Sequence, residues 1–238
     1  VRIRPVLAAA LSAVAAAALL AVPARAASVN EPGAAIPAAA GHHRAAGEQV
    51  TTTLFEAIDA LPVAEESREG YERTKFRHWI DADRNGCNTR AEVLIAEAAS
   101  APFVGAKCSL SGGVWVSPYD DVVLQDARAL DVDHVVPLAE AWDSGASAWS
   151  AEQRQAYAND LDEPRALIAV SAKSNRSKAD KDVAEWLPPA EGYRCTYLMD
   201  WTVVKTRWGL SVDQVEADAL HRLAAACPDE PLTVTLAR

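Results

Sequence analysis

Apolar positions recur at helical spacing in several stretches of the chain and at strand spacing in fewer. Leu54, Ile58 and Leu61 share one face of an early helix. Tyr71, Lys75, Phe76 and Trp79, at i, i+4, i+5 and i+8, predict a second helix over 71–80. Val93, Leu94 and Ala98 make an apolar stripe after Thr89 and predict a third. Ser150 followed three residues later by Gln153 is a capping-box pattern, opening a helix that runs to about Leu161. Residues 174–186 are polar and compatible with a helix, and Val212 to Ala226 is amphipathic. Gly112-Gly113 marks a turn before a short strand at Val114-Trp115-Val116. Leu130 to Val136 alternates acidic and apolar residues and stops at Pro137, as a strand end does. Leu167 to Val170 can pair with it, and Trp201 to Lys205 reads as one more strand. The expected class is α+β, mostly helical with little sheet, and no repeat interrupts it.

The N-terminal segment has a different composition. Arg2 and Arg4 precede an Ala- and Leu-rich run from Val6 to Val22, which ends in Pro23-Ala24-Arg25-Ala26. That small-x-small ending suits signal peptidase. A membrane helix is the alternative, but the run is short for a span of about 20 residues and consists mostly of Ala. The expectation is a signal peptide over 1–26 and a secreted product that leaves the membrane. Residues 27–50, rich in Ala, Gly and Pro, read as a disordered linker, and 51–238 as one domain. Four cysteines in an exported chain suggest two disulfides, with three connectivities open. Cys87–Cys108 with Cys195–Cys227 is favoured because each closes a local segment outside the central motif. A zinc site would need CxxC or HxxxH spacing, which is absent.

Charge constrains the function. The chain carries 33 Asp and Glu against 23 Lys and Arg, a formal net charge of −10. Loss of residues 1–26 would remove three arginines and no acid. This excludes a protein whose whole surface attracts nucleic acid. It allows an enzyme that grips a few phosphates through a local basic site and a metal ion.

The most informative stretch is Leu130-Asp131-Val132-Asp133-His134-Val135-Val136-Pro137-Leu138. An acid beside a histidine in an apolar strand is costly unless both are satisfied. On a regular strand Asp131 and Asp133 share one face and His134 takes the other. Asp133 and His134 can then serve one site only at the strand's end or edge, where Pro137 interrupts pairing. A carboxylate holding a divalent cation next to a neutral imidazole is a workable hydrolytic unit. Downstream lies Ser174-Asn175-Arg176-Ser177-Lys178-Ala179-Asp180-Lys181. The amide oxygen of Asn175 is a hard ligand suited to Mg²⁺. Arg176, Lys178 and Lys181 offer positive charge for phosphate. A lone Asp-His pair is more often structural than catalytic, and it is the two-part pattern that turns the reading towards catalysis.

This two-part pattern resembles that of HNH nucleases, whose fold is called ββα-metal. It is similar to the HNH domain of RNA-guided CRISPR nucleases, and closer to the nuclease domain of GmrSD-type modification-dependent restriction enzymes. The latter likeness takes in Trp142, the Trp149–Leu161 segment and Glu185-Trp186-Leu187-Pro188. Cys87-Asn88-Thr89-Arg90-Ala91-Glu92-Val93-Leu94 and Gly113-Val114-Trp115 resemble a secreted bacterial branch of that group. The resemblance implies a ββα-metal core within 128–188, embedded in the mostly helical single domain that the two expected disulfides staple. It implies metal ligation by Asp133 and Asn175, general-base action by His134, and a phosphate-steadying role for Lys178. Asp131 would be a further ligand or a group behind the ligands. Two positions depart from the pattern. The Asn expected before the second strand is Ala166, leaving Asn159 as a substitute, and the Gly expected after Ser-Lys is Ala179.

A second pattern is Asp81-Ala82-Asp83-Arg84-Asn85-Gly86 with Glu92 at position twelve, the ligand spacing of an EF-hand calcium loop. Asn88 stands where an aliphatic residue normally packs, and a polar turn is the plainer reading. Calcium there would be structural. The sequence therefore predicts a secreted single domain that hydrolyses nucleic-acid phosphodiesters, DNA first, with Mg²⁺ or Mn²⁺. The competing expectations are a ribonuclease and an inactive secreted binding protein on the same scaffold; a monomer is expected in each case.

Overall fold

A computed structural model describes residues 45–238; the expected signal peptide, and the linker up to residue 44, lie outside the described residues. In chain order the elements are β1 (Gln49–Thr53), α1 (Leu54–Asp59), α2 (Thr89–Ala96), β2 (Phe103–Val104), β3 (Leu110–Ser111), β4 (Trp115–Ser117), β5 (Val122–Leu124) and β6 (Leu130–His134). There follow α3 (Leu138–Asp143), α4 (Ala151–Tyr157), β7 (Leu167–Ser171), α5 (Ala172–Lys178), α6 (Arg194–Trp208), α7 (Gln214–Ala224) and β8 (Pro231–Thr235). The class is mixed helix and small sheets, each sheet having two strands.

Strand β1 corrects the linker boundary. It pairs antiparallel with β8, Gln49 opposite Thr235 and Thr53 opposite Pro231, so order begins before residue 51. Its partner lies at the far end of the chain, beyond the reach of any local pattern. Thr53 then caps α1: its hydroxyl accepts from Glu56 N–H, and the Glu56 carboxylate accepts from Thr53 N–H. Leu54, Ala57 and Ile58 turn the buried face of α1 against α6 and α7.

Two expected elements differ. Over 71–80 there is only a 3₁₀ turn at Arg73–Lys75, and Trp79 adopts a left-handed conformation with φ 58°. The aromatic spacing reflects a cluster: Phe76 packs edge-on to Trp142 and Tyr157, with Tyr71 against Trp142. The expected strand at 201–205 is the middle of α6, where Trp201, Thr202, Val203 and Val204 are all buried. A helix buried on every side shows no amphipathic period, and its β-branched residues imitate a strand. The expected helix over 174–186 begins earlier, at Ala172, and ends at Lys178.

Strands β6 and β7 form the antiparallel pair at the centre, with Asp131 opposite Val170, Asp133 opposite Ile168 and His134 opposite Leu167. Helix α5 follows β7 directly. The disulfides are Cys87–Cys108 and Cys195–Cys227; the first ties the start of α2 to the β2–β3 hairpin, the second ties α6 to the segment after α7. No helix among the described residues is long and apolar enough to cross a membrane.

Candidate active site

Strand β6 ends at His134, and Pro137 opens α3 three residues later. At that strand end Asp133, His134 and Pro137 line a cavity of about 500 Å³ together with Asn175 and Arg176 from α5. The two halves of the sequence motif thus meet at one opening, although Asp133 and His134 point to opposite faces of the strand.

The carboxylate of Asp133 is buried and held on one oxygen. Tyr119 OH (2.7 Å) and Lys178 Nζ (2.5 Å) both donate to Oδ2. Burial pushes the Asp133 carboxyl upward and Lys178 pulls it back. Lys178 Nζ also donates to the His134 carbonyl at 2.9 Å, and its side chain is fully buried. A four-carbon stem anchored in α5 brings its ammonium inward to a buried acid, and Lys178, expected to bind phosphate, is not among the residues that line the cavity.

Asn175 Nδ2 donates to Asp131 Oδ2 at 3.1 Å. A carboxylate can only accept, so the amide nitrogen faces Asp131 and the amide oxygen is left over. Asp131 also draws Arg176 Nε to 3.6 Å and does not line the cavity. Its Oδ2 meets both Asn175 and Arg176, so Asp131 stands behind these two side chains and not at the cavity wall. The start of α5 is pinned independently: Asp120 Oδ2 accepts from Ser171 Oγ (2.5 Å) and Ser174 Oγ (2.7 Å). The donor set fits a hard divalent cation. Asp133 Oδ1 and Asn175 Oδ1 accept no hydrogen bond from the described residues, and both side chains line the cavity.

His134 Nε2 lies 3.0 Å from the Ala158 carbonyl oxygen. A carbonyl oxygen accepts, so Nε2 carries the proton and Nδ1 keeps its lone pair. The ring lies between Trp79, stacked at 5.3 Å, and Tyr157 at 6.3 Å. Burial pushes its pKa down to about 3, with the charges of Arg73, His78 and Lys178 adding to the effect. The imidazole is therefore neutral throughout the neutral range.

Residues 93–223 match the family model of GmrSD restriction endonucleases, C-terminal domain, a span running from α2 to α7 and holding every residue of the β6–β7–α5 site. The chain belongs to this family. A relative from the fungus Arthroderma benhamiae, described as an uncharacterized secreted protein, is 42% identical over 160 residues, covering 67% of this chain and 77% of that protein. No solved structure matches the chain.

Several residues around the family motif carry no motif signature. Asn159 accepts from Ile80 N (3.1 Å) and Thr89 Oγ1 (2.9 Å) through Oδ1, while Nδ2 donates to the Arg77 and Gln155 carbonyls. It binds the loop carrying Trp79 to the end of α4, next to the carbonyl that orients His134. Ala166 contributes backbone only, its carbonyl accepting from Val135 N at 3.0 Å. The sequence marks Asn159 only as a substitute for the missing Asn, because its partners Arg77, Ile80 and Thr89 lie 70 to 82 residues away. Tyr119 gave no signal, since a hydroxyl on an aromatic core residue has no spacing rule.

Arg176 is exposed on the cavity rim, while Lys181 lies off the cavity with Nζ donating to the Ser177 carbonyl. In the EF-hand-like loop, Asn85 Nδ2 donates to Asp83 Oδ2 (2.8 Å) and Glu92 Oε1 (3.1 Å). Asp81 Oδ2 accepts from Gly86 N at 3.0 Å, a turn that Gly86 allows with φ 94°. The structure brings Asp83, Asn85 and Glu92 together, with the Asn85 amide nitrogen between the two acids.

Proposed function

We propose that this protein is a secreted, metal-dependent endonuclease of the HNH type, acting on nucleic acid and on DNA first. The reading rests chiefly on one juxtaposition: two uncommitted hard oxygens, Asp133 Oδ1 and Asn175 Oδ1, and a neutral imidazole line a single cavity. The succession of β6, β7 and α5 is the ββα-metal arrangement in this reading. Two disulfides and the printed description of the fungal relative support secretion.

Each residue has a defined task. Asp133 and Asn175 would hold the cation, with Tyr119 and Lys178 fixing the Asp133 carboxylate and Asp131 fixing the Asn175 amide. A divalent cation, Mg²⁺ or Mn²⁺, would polarise the phosphate and offset charge on the departing oxygen. His134 takes a proton at Nδ1 from the attacking water, while Nε2–H stays on the Ala158 carbonyl and stabilises the imidazolium that forms. The water oxygen bonds to phosphorus as the P–O bond to the leaving sugar oxygen breaks. Trp79 and Tyr157 hold the ring in plane and keep bulk water off its faces. Nothing in this chemistry selects the sugar.

Competition between duplex DNA, single-stranded DNA and RNA tests the reading, run with Mg²⁺, with Mn²⁺ and with EDTA. Cleavage that needs metal and favours DNA is expected. Preferred cutting of RNA would make the protein a ribonuclease. Failure to cut any of the three with either metal would leave a binding protein on a nuclease scaffold.

A further inference from the structure

Phosphodiester hydrolysis builds negative charge on the phosphoryl oxygens, and a site that accelerates it places a cation there. The sequence offers Arg176, Lys178 and Lys181. In the structure Lys178 is buried on Asp133, Lys181 is turned to the Ser177 carbonyl, and Arg176 leans towards Asp131 at 3.6 Å. Arg68, near the same opening, is committed to Asp143 (2.6 Å) and Asp180 (2.5 Å). One other cation lines the cavity: Arg73, which faces it beside Tyr71 and makes no ion pair among the described residues.

The backbone under Arg73 is held from both sides. It starts a 3₁₀ turn whose last residue, Lys75, donates to the Gly70 carbonyl at 2.6 Å and lies over the Trp142 ring at 4.9 Å. The next residue, Phe76, is fully buried in the aromatic cluster. The fixed turn sets the point from which the Arg73 side chain projects beside the cavity. The guanidinium is exposed to the same opening that Asp133, His134 and Asn175 line, where an incoming phosphate would meet it.

We propose that Arg73 is a catalytic residue of this site, its guanidinium gripping the non-bridging oxygens of the scissile phosphate and holding that phosphate against His134. The assignment rests on the nuclease reading. A planar fork takes two phosphoryl oxygens in a fixed bidentate geometry that an ammonium does not have. Arg73 and Arg176 then flank the phosphate, Arg73 from the loop before α2 and Arg176 from α5.

The test uses Arg73→Met and Arg73→Lys, both at an exposed position, with unfolding midpoints recorded as a check on the fold. First, binding of a fluorescein-labelled DNA duplex is followed in EDTA across a salt series. Arg73→Met should flatten the slope of log affinity against log salt by about 0.9, the value for one phosphate contact, and Arg73→Lys should restore it. Second, single-turnover cleavage is measured with Mn²⁺. Arg73→Met should lose about 10²–10³-fold in rate, and Arg73→Lys should stay at least about tenfold slow despite its recovered binding slope. A Met variant that binds with the wild-type slope, or cuts at the wild-type rate, overturns the proposal while leaving the nuclease reading in place. A wild-type protein that cuts neither DNA nor RNA overturns the nuclease reading and the catalytic role of Arg73 together.

Discussion

Asp131 accepts from the Asn175 amide nitrogen, and in the proposed site this turns the amide oxygen to the metal. Asp131→Ala should therefore weaken Mn²⁺ binding by about 10–100-fold, the usual cost of losing a group behind a ligand, as read by titration calorimetry. Unchanged affinity would show that the amide orients itself. The departure at Ala179 also has a physical consequence. Ala179 sits at φ 53°, ψ −123°, a turn conformation that suits glycine, with Lys181 N–H closing onto the Lys178 carbonyl. Ala179→Gly should stabilise the fold by about 1 kcal/mol in denaturant unfolding, and a destabilised variant would contradict the strain. Asp133, His134 and Asn175 were legible because their chemistry and spacing are local. Tyr119, Trp79 and the Ala158 carbonyl were not, since they reach the site from other segments and one of them is backbone.

Elements were legible where one face is buried and the cap is a side chain. The Ser150–Gln153 capping box opens α4 as its sequence predicts, and Asn88 caps α2. Helix α6 was hidden because it is buried all round, and the 71–80 loop was misleading because tertiary aromatic contacts imitate a helical stripe. The Asp81–Glu92 loop is a partly legible case. Its acids converge, but calcium would require the Asn85 amide to turn over and give up its hydrogen bonds to Asp83 and Glu92. If calcium fills it, the unfolding midpoint should rise by several degrees in millimolar Ca²⁺ over EGTA, and Asp83→Ala should abolish the difference. An identical midpoint in both would leave the loop as a polar turn.

Across the whole molecule, buried acids set the pH response. Glu66, Glu140 and Glu216 place carboxylate oxygens within 4.8 Å of one another, and Lys205 Nζ donates to Glu140 (2.8 Å) and Glu216 (2.6 Å). One ammonium among three acids favours a retained proton. Burial, then Glu140, pushes Glu66 up to about 8, and burial pushes Glu216 up to about 7. Burial likewise raises Glu97 and Asp200 to about 7. Each folded-state pKa lies above the unfolded value near 4, so the stability these groups contribute is fully present below about pH 4, is lost progressively as the unfolded chain deprotonates above that, and is gone once pH passes about 7 to 8. The unfolding midpoint should fall between about pH 5 and pH 8 and level off above that, and Glu66→Gln should shallow the fall. A midpoint that rises over that range would contradict the assignment.

The central claim is that the Asp133, His134 and Asn175 constellation hydrolyses nucleic acid. Its most direct test is plasmid DNA incubated with the oxidised protein, with Mg²⁺, Mn²⁺ or EDTA, beside His134→Ala of verified fold. The account predicts metal-dependent cutting by the wild type that disappears in His134→Ala. Equal cutting by the two proteins, or cutting that persists in EDTA, would contradict it.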